Sequence, residues 1–222
     1  MGPLFATAEE WGNKDKMFGM FRKQALKQNW VQVKPYVIFA TMVFFAGVIV
    51  GAAAQGPVDW LDKQLLNLAE MSKEANEASN PQQAMFTTIL WNNINASLMS
   101  MFMGFMAGIM PVATLVLNGM IMGYLFGGIA DQGVNIWPII LKGILPHGLL
   151  EIPAILFACG YGVQLGITLI RGVFGALFGR TEPWAKLKVA IRGIIPAVLL
   201  VVLLLVGAAV IESTLTYWLV QT

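Results

Sequence analysis

The sequence predicts an all-α polytopic membrane protein, with five transmembrane helices preceded by an N-terminal amphipathic helix. Three observations carry this prediction. First, 57% of the 222 residues are hydrophobic and only 12% are charged, and mean hydropathy is +0.70. A soluble domain carries about a quarter charged residues. Second, the apolar residues fall in runs near the ~20 needed for a helix to cross a bilayer, not in the short alternating segments of a barrel. Third, Lys and Arg gather in two stretches, which gives the crossings a direction.

Residues 1–35 read as a cytoplasmic interfacial segment. Lys14, Lys16, Arg22, Lys23, Lys27 and Lys34 alternate with Trp11, Phe18, Phe21, Leu26 and Trp30. A helix would gather the apolar members onto one side, to lie on the anionic inner leaflet or dock under the bundle. Residues 36–222 form the transmembrane domain. Its first span is Tyr36–Ala54, where Gly47 and Gly51 permit close helix approach. Residues 55–83 are acid-rich, and Leu61, Leu65, Leu68, Ala69 and Met71 suggest a short amphipathic helix there.

The second span is expected over Ala84–Met110. It carries Asn92, Asn93 and Asn95, and a small, polar stripe through Asn93, Ser97, Ser100, Gly104 and Gly108. Pro111 is expected to allow a tight turn into the third span, Val112–Ala130, which holds Asn118, Gly119, Gly123 and Gly127. Packing alone accounts for the glycine stripes. From Ile136 a long apolar stretch reads as a short interfacial piece to Leu145, then a span from Pro146 to about Leu169; a break at Gly160–Gly162 would make two crossings. The loop 171–192 is basic, and Ile194–Leu219 is the last span. Glu212, near its far end, reads as a headgroup-level acid.

An inside N-terminus puts both basic stretches in the cytoplasm with five crossings, whereas six would expose the basic 180–192 loop outside. Five are therefore expected, with the C-terminus outside.

The chemistry centres on Leu145-Pro146-His147-Gly148-Leu149-Leu150-Glu151. His147 is the single histidine, and the spacing of four places Glu151 on its helical face. Ionisable groups in hydrocarbon cost roughly 2.5 to 3.5 kcal/mol each, so such a pair is either a functional site or a buried polar lock between helices. Pro146 suits the first turn of a helix, so a bend there would turn free backbone amides toward the pair. At 1.5 Å per residue, Asn92 and Asn93 lie about 12 to 14 Å below the outer face, a depth they would share with His147 and Glu151.

His147 and Glu151 are thus the candidate metal ligands, zinc first, and also the candidate catalytic pair; Asn92, Asn93 and Asn118 are candidate cofactor-binding amides. A third strong ligand is not evident in the sequence. The single cysteine, Cys159, excludes an intramolecular disulfide and reads as a small core residue. No H-E-x-x-H, G-x-S-x-G or phosphate-binding loop is present, and nothing points to nucleic acid.

Asn92-Asn93, Gly104 to Pro111, Leu117-Asn118-Gly119 and the Leu145–Glu151 run, in that order, resemble the stage II sporulation protein M family. The resemblance covers residues 36–220. It implies a polytopic protein of the cytoplasmic membrane that in spore formers anchors partners degrading peptidoglycan during engulfment. The favoured function is accordingly a membrane scaffold for envelope remodelling, with envelope proteins as partners. An intramembrane metal-dependent hydrolase is the alternative, and an ion-coupled transporter a third. A homodimer is expected, because the glycine faces exceed what five helices need to pack together.

Overall fold

The computed structural model describes residues 19–54, 56, 58–216 and 218–219; most of the expected N-terminal amphipathic segment therefore lies outside the described residues. Among the described residues all regular structure is helical. Helix α1 spans Lys23–Ala52, α2 Asp59–Glu77, α3 Pro81–Phe102 and α4 Ile109–Asp131. A short helical piece, Ile136–Pro138, and a π-turn, Ile139–Ile144, lead directly into α5, Leu145–Leu177. Helix α6 is Ala185–Arg192, and α7, Ile194–Ile211, ends in a second π-turn, Glu212–Thr216.

Four helical stretches are long and apolar enough to cross a membrane: Lys23–Ala52, Ile109–Asp131, Ile136–Leu177 and Ile194–Thr216. Helix α3, where the sequence suggests a further span, is not among them; Gln82, Gln83, Asn92, Asn93 and Asn95 dilute its apolar character. Local signals fix its start, since Asn80 accepts from the Gln83 amide at 3.3 Å and Pro81 occupies the first turn. Amphipathic α2 buries Leu61 and Ala75 and packs on α3 and α4.

Helix α5 is the centre of the bundle: 67% of its most apolar stretch is buried, against 22% for α1 and α4 and 28% for α7. One side packs Ala154, Ala158, Tyr161 and Leu165 against Met101 of α3, Leu187 and Ala190 of α6, and Ala197, Val201 and Leu205 of α7. The other side sets Leu156 and Cys159 against Ala40 and Phe44 of α1 and Leu115 of α4. Cys159 is thus the small core residue its position suggested. The Tyr161 hydroxyl donates to the Ala190 carbonyl at 2.6 Å, so the phenol's one buried polar atom is satisfied.

Glycines set the helix spacing. A Cβ on Gly51 would fall on the Met120 carbonyl, and one on Gly123 on the Val48 carbonyl. The same holds between α3 and α5, where a Cβ on Gly104 would meet the Gly162 carbonyl and one on Gly162 would lie 2.8 Å from that of Ser100. The glycine faces are therefore engaged within one chain, and the surplus invoked for a dimer is taken up by intramolecular packing.

Two local expectations change, and a third, the uninterrupted helix through Gly160–Gly162, holds. The turn between α3 and α4 precedes Pro111: it runs through Met103–Phe105 and reverses at Ala107 and Gly108, whose φ values are 57° and 76°. Gly108 adopts this left-handed conformation without cost to a side chain, and Pro111 sits inside the first turn of α4. The stretch around Gly160–Gly162 is unbroken helix because those glycines serve packing. Finally, α1 continues through Pro35 to Lys23; Val33 is buried in the core, and Trp30 stacks on Phe157 with ring centroids 6.5 Å apart. The described end of the N-terminal segment is docked against the bundle.

The backbone-to-backbone contact makes a direct prediction. Gly123→Leu forces α1 and α4 apart and should cost more than about 3 kcal/mol, seen as loss of the monodisperse peak and of the thermal transition in detergent. Gly128→Ala, with open space at its Cβ, should leave both as they are.

Candidate metal centre

Where the sequence suggests a bend at Leu145-Pro146, the chain is helical throughout. Pro146 has no N–H, and its ring would press on the carbonyl one α-turn earlier. The π-turn widens the helix there, and the Leu145 N–H donates to the Ile140 carbonyl. His147 is thus held one turn inside a continuous helix, and the backbone amides do not supply a free anion-binding end.

Asn92, Asn93, His147 and Glu151 line one cleft of about 260 Å³. The floor comes from α5, one wall from Met85, Thr88 and Ile89 of α3, and the opposite edge from Leu68, Met71, Ser72 and Ala75 of α2. The depth argument placed these four polar residues together, and the structure does bring them together. Asn118 lies elsewhere: its amide donates to the Thr114 carbonyl of its own helix at 2.8 Å, and it is not among the residues of this cleft.

The cleft contains an acid that sequence reasoning set aside. Glu212, expected at headgroup level, has a side chain only 21% exposed, and its Oε2 lies 3.9 Å from His147 Nε2. The other ring nitrogen, Nδ1, lies 3.4 Å from the Thr216 hydroxyl. Both imidazole nitrogens therefore face the π-turn that ends α7. Glu151 and Asn93 line the same cleft. Ligand atoms of His147, Glu151 and Glu212 all lie within 4.8 Å of one another, close enough for the group to hold a metal ion. The signal in the sequence was Glu212 itself, an acid closing an apolar run that contains no other charge from Ile194 onward.

Two carboxylates at such a separation repel by about 3.5 kcal/mol at an effective dielectric near 20. Among the described residues no Lys or Arg lines the cleft or pairs with either acid. A proton on one carboxyl or a cation between the two relieves that repulsion, and the donor set, one nitrogen with two carboxylates, is one that could hold a metal ion.

No curated protein and no solved structure matches the chain. The family model described as stage II sporulation protein M matches residues 37–217, a stretch that contains every residue of the cleft, three of the membrane-length helices whole and the C-terminal half of the first, Lys23–Ala52. On that match the chain, whose described residues form helices of which four are long and apolar enough to cross a membrane, belongs to the stage II sporulation protein M family.

Proposed function

We propose that this protein is a membrane scaffold for cell-envelope remodelling, crossing the bilayer five times with its N-terminus in the cytoplasm and its C-terminus outside. The observation that carries the reading is the family match over residues 37–217. Helix α3 is the fifth crossing: its 22 residues extend about 33 Å, and it packs against both α5 and α7. Among its polar residues, Ser100 shares a hydrogen bond with the Thr114 hydroxyl at 2.7 Å, and Asn92 and Asn93 line the cleft.

Five crossings put Lys23, Lys27 and Lys34 on the same side as Arg180, Lys186, Lys188 and Arg192, with the acid-bearing helix α2 opposite. The polar cluster then lies toward the outer face and fastens the end of α7 to α5, leaving the outer surface to envelope proteins. A second copy of the chain is part of this reading. Because the glycine faces are occupied, it would sit on the outward face of α3, where Trp91, Asn95 and Met99 are exposed. An amide in hydrocarbon gains from a partner across a helix pair.

Topology is tested with single cysteines in a Cys159→Ala background, using a maleimide that does not cross membranes. Lys63→Cys should label on intact cells and Lys188→Cys only after permeabilisation; labelling of Lys188→Cys on intact cells would reverse the orientation. Affinity purification of the full chain from its native membrane should co-purify a peptidoglycan-active protein, and recovery without any envelope partner would remove the scaffold role. Light scattering of the purified protein should give twice the 24.2 kDa chain mass; a single chain mass would remove the dimer.

A further inference from the structure

The cluster of His147, Glu151 and Glu212 has the donors of a metal centre, and each element of it is held from outside in the manner of one. If Nδ1 carries the proton and donates to the Thr216 hydroxyl 3.4 Å away, the Nε2 lone pair is left facing Glu212. That is the tautomer a metal-ligating imidazole requires. Asn93 lines the cleft with Glu151, which places an amide on the same side as that carboxylate. Around an ion with bonds of about 2.1 Å, neighbouring ligand atoms are about 3.4 Å apart in a tetrahedron. The 3.9 Å between His147 and Glu212 and the 4.8 Å limit for all three are within small side-chain rotations of that spacing.

We propose that His147 Nε2 and one carboxylate oxygen each of Glu151 and Glu212 bind a single divalent transition-metal ion, with Zn²⁺ the best fit. Three protein ligands leave a fourth position, and the adjoining cleft of about 260 Å³ has room for water there. The imidazole selects against Mg²⁺ and Ca²⁺, which prefer all-oxygen shells. The ion's two positive charges cancel the two carboxylates, which removes the repulsion that the apo cluster carries. The ion also joins α5 to the π-turn ending α7, two segments far apart in sequence. It is therefore a clasp on the outer end of the bundle. This goes beyond the scaffold reading and stands whether or not the envelope partners are found.

The experiment uses the full chain in detergent, stripped with EDTA and titrated with Zn²⁺ or Mg²⁺, reading metal content by mass spectrometry and thermal stability in parallel. Wild type should bind about one Zn²⁺ per chain and melt at a higher temperature once loaded, while Mg²⁺ at the same concentration gives no shift. Glu212→Gln should lose affinity by more than about tenfold and gain no stability from zinc. In EDTA it should be at least as stable as wild type, because one of two like charges is gone. Asn118→Ala, away from the cleft, should bind as wild type does. His147→Ala is the second variant, read by metal content alone, so that a folding defect in one variant does not decide the matter. Zinc-free wild type, equal binding by Glu212→Gln and His147→Ala, or an equal response to Mg²⁺ would each overturn the proposal.

Discussion

The structure depends on the close approach of helix backbones at glycine. Lipid tails are as apolar as leucine, so burying side chains gives no hydrophobic drive between helices inside a membrane; dense van der Waals contact must hold them. Helix α5 meets that demand on two sides at once. Gly162 lies on the backbone of α3 at Ser100 and Met101, Gly166 on the backbone of the α3–α4 turn, and Gly160 on Val37 of α1. Gly47, Gly51, Gly119 and Gly123 do the same for α1 and α4. With the backbones this close, helix axes and rotations have little freedom, and the polar residues on those helices inherit fixed positions.

The polar cluster is a consequence of this rigidity. Ala154 and Ala158 of α5 receive Ala197, Val201 and Leu205 of α7, which fixes how α7 rides on α5. At its C-terminal end α7 opens into a π-turn, and there Glu212 and Thr216 meet His147. The π-turn before Pro146 makes the matching adjustment on the other helix, and the two π-turns touch. Departures from α-geometry on both ligand-bearing helices thus lie beside the cluster of His147, Glu151 and Glu212.

Much of this was legible along the chain. His147 and Glu151 share a face because a helix repeats every 3.6 residues, a rule that needs no tertiary information. The depth of Asn92 and Asn93 followed from the rise per residue, and both line the cleft beside that pair. The glycine stripes were read as packing surfaces, and they are. The turn after α3 was misplaced because proline is compatible both with a turn and with the first turn of a helix; Ala107 and Gly108, not Pro111, carry the reversal.

The sequence by itself determined the class of protein, most of the helical runs and the shared face of His147 and Glu151. Each of these is set by composition or by the repeat of a single helix. Tertiary structure alone decided that Glu212 joins the pair and that Asn118 stays apart. Periodicity says which residues share a face on one helix but nothing about which way that face turns toward another. That rotation is fixed only when helices pack, and the seating of Ala197, Val201 and Leu205 of α7 against Ala154 and Ala158 of α5 is what carried an acid from the end of the last helix to the imidazole on α5.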